Sequence, residues 1–328
     1  MSARLAPESL LAGVDIGGTS IAVRLAGPDL ADHGRHAVPT IVGEPEAAGA
    51  QVVAAIDAAC AALGMERARV VAIGIGVPGH VDPVAGTVRM AVNLGWGQVA
   101  LREQVQALLP LPVGMDNDVR GAAEGVRARR LLGDLTDFLY VAIGTGIAAG
   151  LVVDDRVLRG AHLFAGEIGH LVVEPGGPRC NCGQEGCLEA IAGGPAVAAI
   201  ARSAVATGMP SRLDPGGAFT AAEVYAASAT GDPAARAAVT RAARALARAF
   251  ATVDAVLDFP AIAIGGGVAA AGPAFFGPLE EALDEIRATS PFAATILPAD
   301  LIRPLPAGDD AGTWGAVLLA RAAAAESV

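Results

Sequence analysis

Apolar residues along this chain gather in short unbroken runs that end in glycine. "LLAGVDIGGTSIAVRLAG" (10–27) reads as strand, tight Gly-Gly-Thr turn, strand. "FLYVAIGTGIAAGLVVDDRV" (138–157) repeats that design, with Val14-Asp15-Ile16-Gly17 aligning on Val141-Ala142-Ile143-Gly144. A third glycine turn, in "AIAIGGGVAAAG" (261–272), follows a short apolar run and precedes a helical stretch. Further strands are predicted at 69–79 and 111–119, and a helix stopped by proline at 101–110. Helical spacing marks 196–208, 220–230 and 233–257, and an Ala-rich helix closes the chain at 311–325. Strands alternating with helices give an α/β architecture. Two halves that each open with a glycine hairpin point to a duplicated domain. The turn-rich, charged segment 118–135 is the best boundary, so 1–118 with the closing helix 311–328 forms one domain and 119–310 the other.

Length and composition narrow the class. The 328 residues are 53% hydrophobic, enough for two domains with substantial cores. Net charge is −11, every basic residue is arginine, and no basic run offers a phosphate backbone a partner, so nucleic acid is not expected. The N-terminus resembles neither a signal peptide nor a membrane span, which suggests a cytoplasmic protein without membrane association. The cysteines in "CNCGQEGC" (180–187) are therefore better read as metal ligands than as a disulfide framework. Cys60, alone in a predicted helix, reads as a small buried apolar residue.

Three candidate chemistries stand out. Cys180, Cys182 and Cys187 lie on a loop that Gly183 and Gly186 allow to fold back, and thiolates so placed can surround a tetrahedral zinc. The fourth ligand must come from nearby, and His170 in "GEIGH" is the best of five histidines. The glycine turns can present backbone N–H groups to phosphate oxygens, with Asp15 placed to hold Mg²⁺ directly or through water. Neither a Walker motif nor a G-x-G-x-x-G helix opening is present. In "MDNDV" (115–119), a strand ends in Asp116, Asn117 and Asp118, where a carboxylate can take a proton from a substrate hydroxyl. A helix cap before "RGAAEGV" explains the same residues equally well.

Together these segments resemble the ROK family (repressors, open reading frames and sugar kinases) over nearly the whole chain. "GVDIGGTSIAV" is similar to its first phosphate loop, "GTGI" (144–147) to its second and "GGGV" (265–268) to its adenosine loop. "NLGW" (93–96) and "DNDV" (116–119) resemble its sugar-contact and catalytic segments, and "GEIGH" followed by "CNCGQEGCLE" its signature. The resemblance implies two actin-like, ribonuclease-H-like α/β domains with a nucleotide and sugar cleft between them. It implies a structural zinc on His170, Cys180, Cys182 and Cys187, and Asp118 as general base. Sugar contacts would come from Asn93, Asn117, Glu167, His170 and Glu189. ATP and Mg²⁺ would be held by Asp15, Gly17, Gly18, Thr19, Gly144, Thr145, Gly146, Gly265, Gly266 and Gly267. Homodimers are common in the family. Ser20 stands where Lys or Asn is frequent, and Ala148-Ala149 where Gly-Gly is common.

The leading expectation is a kinase that transfers phosphate from ATP to the 6-hydroxyl of glucose. N-acetylmannosamine or N-acetylglucosamine is the alternative substrate. A sugar-sensing repressor is disfavoured because only fourteen residues precede Asp15 and they are not basic. A sugar-binding protein without catalysis is disfavoured by the intact Asp15, Asp118 and glycine loops. His80 in "PGHVD" reads as a solvent-facing turn residue.

Overall fold

The computed structural model describes residues 5–214, 216–306 and 309–327. The first glycine hairpin is β1 (Leu10–Ile16) and β2 (Ser20–Ala26), followed by β3 (Asp32–Pro39), α1 (Ala48–Ala62) and β4 (Val70–Val77). A small hairpin, β5 (His80–Asp82) and β6 (Thr87–Met90), leads to α2 (Leu101–Leu108), β7 (Val113–Asn117) and α3 (Asp118–Ala128). The second glycine hairpin is β8 (Phe138–Ile143) and β9 (Ile147–Val153), extended by β10 (Arg156–Leu158). After the cysteine loop come α4 (Glu189–Ala192), α5 (Gly194–Ala206), α6 (Ala221–Ala229) and α7 (Pro233–Leu257). β11 (Ile262–Gly265), α8 (Pro273–Arg287), α9 (Pro291–Ile296), β12 (Ile302–Pro304) and α10 (Ala311–Glu326) complete the chain. No helix among the described residues is long and apolar enough to cross a membrane.

The two main sheets share one strand order: β3-β2-β1-β4-β7 and β10-β9-β8-β11-β12. In each, the outer hairpin strands pair antiparallel, and the strands added beyond the hairpin run parallel to its first strand. This repeated order is the duplication expected from the two glycine hairpins, in the ribonuclease-H-like, actin-like arrangement that the ROK resemblance implies. The inner strands β1, β2, β4, β8 and β9 are largely apolar on both faces because both faces are covered. α1 buries Val52, Ile56 and Ala59 in the same core as Val14, Ile16 and Ile75, and Cys60 lies there too, as a buried apolar side chain.

The opposite face of the first sheet is shaped for α10. Gly13, Gly74 and Gly114 stand in register on β1, β4 and β7. A Cβ on any of them would overlap backbone atoms of α10, so the glycines let that helix lie directly on the sheet. α10 also meets α3 through glycine, since a Cβ on Gly315 would overlap the Gly121 carbonyl.

The chain divides into two units. The first is Met1–Thr136, Gly150–Ala165 and Gly308–Val328; the second is Asp137–Ala149 and Gly166–Ala307. The division therefore falls after α3 rather than at 118/119, and residues 150–165 count with the first unit. The close packing of α3 on α10, with Gly150 seated against Ala123 of α3, accounts for both differences.

Candidate functional site

In the first unit the candidate residues gather at the carboxyl ends of β1 and β7, where open α/β sheets bind ligands. Asn117 ends β7 and caps α3: its Oδ1 accepts from the backbone N–H groups of Val119 and Arg120 at 3.0 and 3.1 Å. Its Nδ2 donates to Asp118 Oδ1 at 2.9 Å and to the Gly79 carbonyl at 3.3 Å. The cap and the motif that the ROK resemblance marks as catalytic are thus the same residues. A sugar contact by Asn117 requires one of these bonds to be exchanged. Asp118, half-buried on the first turn of α3, also receives the Val119 N–H on Oδ1 at 2.9 Å. Asp116 is 1% exposed, and both of its oxygens are engaged by arginines. With its lone pairs so occupied, it is unsuited to take a substrate proton.

Asp15 ends the apolar run of β1, packed against Gly76 and Gly312. Its pKa is pushed up to about 8, first by burial, then by the negative charges of Asp118 and Asp310, with Arg35 opposing. A hard divalent cation, which takes oxygen ligands, suits a crowded carboxylate of this kind. The turn beyond it is pinned from one side: Thr40 Oγ1 donates to the Gly17 carbonyl at 2.7 Å and Thr40 N–H to the Thr19 carbonyl at 3.1 Å. Gly18 and Thr19 are exposed, and exposed Asn93 lies beside Gly18.

In the second unit, the turn Gly144–Gly146 is closed by Gly144 N–H on the Gly146 carbonyl at 2.9 Å. Ile147 N–H donates to Glu189 Oε2 at 2.9 Å, and a Cβ on Gly146 would collide with that oxygen. Gly266, at φ +89°, lies against the Ile143 backbone, so the third glycine turn packs on the second. Ala148 and Ala149 lie on β9, and the second is buried with its N–H on the Gly166 carbonyl at 2.7 Å.

The cysteine loop and His170 form one cluster. Their four ligand atoms lie within 4.8 Å of one another. Cys182 and Cys187 Sγ are 3.6 Å apart, and Cys180 Sγ is 3.8 Å from His170 Nδ1. A tetrahedral zinc with bonds of about 2.3 Å to sulfur sets its ligands about 3.8 Å apart, so the cluster fits that ion. Cys182 is exposed, and its pKa is drawn down to about 7, first by the Gln184 backbone N–H; burial pushes the Cys187 thiol up to about 12. With Nδ1 turned to the cluster, His170 Nε2 points toward Glu167, 3.9 Å from Oε2. Gly186, at φ +77°, sits against the Glu174 backbone, and Glu174 pairs with Arg241 of α7. The loop is thus fastened to the longest helix of its unit.

One sequence expectation changes here. His80 is not a solvent-facing turn residue: it lies on β5, with Nε2 3.1 Å from the His162 carbonyl and its ring 4.1 Å from that of Phe164. Nothing in the sequence analysis singles out Arg120 or Arg159, which the structure places on Asp116. The four-residue spacing from Asp116 was the available signal for Arg120; Arg159, distant in sequence, had none.

The sequence model of the ROK family matches residues 11–323. The chain belongs to the ROK family. It is 33% identical over 277 residues to a glucokinase of Halalkalibacterium halodurans, covering 82% of this chain and 83% of that protein. It is 32% identical over 257 residues to an N-acetylmannosamine kinase of Escherichia coli, covering 78% and 82%. Among solved structures, a ROK family glucokinase from Streptomyces griseus in complex with glucose and AMPPNP superposes with a TM-score of 0.81. That protein is 29% identical, and the match covers 96% of this chain and 100% of the other.

Proposed function

We propose that this protein is a sugar kinase that transfers the γ-phosphoryl group of ATP to the 6-hydroxyl of glucose. The observation that carries the reading is the turn at Asp118. One carboxylate there is fixed at Oδ1 by Asn117 and Val119, while its neighbour Asp116 is fully engaged elsewhere. In the proposed reaction Asp118 takes the 6-hydroxyl proton as that oxygen forms its bond to the γ-phosphorus. The bond from γ-phosphorus to the bridging oxygen breaks, and ADP leaves. Phosphoryl transfer asks mainly for positioning and charge neutralisation. Asp15 would hold the Mg²⁺ that neutralises phosphate charge. The backbone N–H groups of Gly17, Gly18 and Thr19, and of Gly144, Thr145 and Gly146, would cradle the phosphates, with Gly265, Gly266 and Gly267 against the adenosine.

The sugar hydroxyls would meet Asn93, Glu167, the Nε2–H of His170 and Glu189. Zinc on His170, Cys180, Cys182 and Cys187 would fix the His170 tautomer and brace the segment bearing Glu167 and Glu189. Asn117 would serve the sugar chiefly by aiming Asp118. Glucose and ATP are supported by the Streptomyces griseus complex with glucose and AMPPNP and by the Halalkalibacterium halodurans glucokinase. The similar identity to an N-acetylmannosamine kinase favours a second reading, with that sugar as substrate. A coupled ADP-release assay comparing kcat/KM at equal sugar concentrations separates them. Glucose ahead of both N-acetyl sugars supports the assignment. Tenfold preference for either N-acetyl sugar removes glucose but keeps the kinase, and no turnover with any hexose removes both.

A further inference from the structure

Asp116 forms part of a buried ionic cluster that no step of the proposed reaction uses. Its Oδ1 accepts from Arg120 Nε and from the Asn117 backbone N–H, both at 2.7 Å; its Oδ2 accepts from Arg159 Nε at 2.8 Å. Arg120 is itself 3% exposed and continues outward, donating to the Leu163 carbonyl at 2.8 Å and the Val81 carbonyl at 3.4 Å. One guanidinium therefore joins three segments: β5, the strap 159–163 and the β7–α3 turn. Two arginines on one carboxylate leave a positive charge in excess beside that turn.

Taking such groups out of water is costly, and well-packed apolar side chains could hold the same elements together without that desolvation. What the ionic cluster adds is direction. Asp116 fixes the peptide N–H of Asn117. The Asn117 side chain then caps α3 and holds Asp118 Oδ1. A relay of bonds thus runs from Arg159 on the strap to the carboxylate oxygen of Asp118.

We propose that Arg159 and Arg120, acting through Asp116 and Asn117, are positioning residues for Asp118, an inference that rests on Asp118 being the general base. The strap carrying Arg159 is then part of the catalytic machinery although it does not touch the reacting atoms. Arg159 is the residue to test, because its side chain is 45% exposed and can be shortened without opening the core. Arg159→Ala and Arg159→Lys should be made in the parent protein and in the Asp118→Asn variant. In the parent, Arg159→Ala is expected to lower kcat for glucose by about ten- to a hundredfold, the scale of a small misplacement of a reacting group, with glucose Kd changed less than about threefold. Arg159→Lys should recover part of the loss. In the Asp118→Asn background the same truncation should change kcat less than about twofold, because its effect passes through the missing base. Independently of turnover, hydrogen exchange at the Val119 and Arg120 amides, which donate to Asn117, should accelerate in Arg159→Ala. An equal fold-loss in both backgrounds, or unchanged exchange at those amides, overturns the proposal. Near-normal turnover of Asp118→Asn instead removes Asp118 as the base, and the positioning role falls with it.

Discussion

The two glycine hairpins stand at the same place in two sheets of identical strand order, yet they are equipped differently. In the first, the strand entering the turn carries Asp15; in the second, the matching position is Ala142. The first turn is held from outside by Thr40, through a hydroxyl and a backbone N–H. The second is held by Glu189, two residues beyond the metal-ligand candidate Cys187. One hairpin thus carries its own crowded carboxylate, while the other borrows a carboxylate from the start of α4, just beyond the cysteine loop. A shared scaffold sets where a turn sits, and single side chains then decide what it can do.

On the proposed function, proton and charge chemistry belong to the first unit and orientation to the second, a division tested most directly at Asp118. Asp118→Asn should lower turnover by about 10²–10⁴-fold while glucose binding, read by calorimetry, is largely kept. Near-normal turnover would move the base elsewhere. The second unit is tested at the metal cluster. Protein purified without chelator should contain one zinc per chain by mass spectrometry of metals. Cys182→Ser should lose it and weaken glucose binding by about 10–100-fold, the range seen when a metal site's support is removed. A zinc-free variant with normal sugar affinity would separate the loop from the sugar.

A smaller effect tests the bracing of the two turns. Gly146→Ala places a methyl on the Glu189 carboxylate and should cost about 1–3 kcal/mol, seen as a lower Tm together with a raised KM for ATP. Gly18→Ala, whose added carbon would stand 3.3 Å from the Asn93 carbonyl oxygen, should stay within about 0.5 kcal/mol of the parent in stability. Equal losses at both glycines would contradict the asymmetry. A separate test is the pH dependence due to Asp15. The folded chain keeps this proton up to about pH 8, whereas the unfolded chain releases it near 3.8. Between those values the folded state binds more protons, so its stability falls as pH rises. In metal-free buffer, denaturant titrations should show Asp15→Asn gaining on the parent from pH 4 to pH 8. Adding Mg²⁺ should flatten the slope of the parent. An unchanged difference across that range would mean that Asp15 titrates normally.

The candidate site was partly legible because its loops announce themselves locally. Gly17–Gly18, Gly144–Gly146 and Gly265–Gly267 interrupt apolar runs, and three cysteines in eight positions next to a nearby histidine fit one tetrahedral ion. "DNDV" displayed both its readings, and the structure contains the cap outright. Roles that depend on distant partners were not legible. Asp116 and Asp118 have the same side chain and share a turn; Arg120 and Arg159, the second forty-three residues away, anchor Asp116. His80 looked like a turn residue because its companions, His162 and Phe164, arrive from another segment.

By itself, the sequence determined the elements that short-range spacing controls: the apolar strands, the glycine turns between them, the capped helices and the cysteine loop. Each depends on residues within a few positions of one another, where backbone sterics and hydrogen bonding act without help. Only the tertiary structure decided which glycines must be glycine and where the units divide. Gly13, Gly74 and Gly114 are required because α10, from the far end of the chain, lies on them, and α3 belongs to the first unit because it packs on that same helix. Steric exclusion and burial depend on what is brought close in space, and no spacing along the chain encodes which distant backbone will arrive.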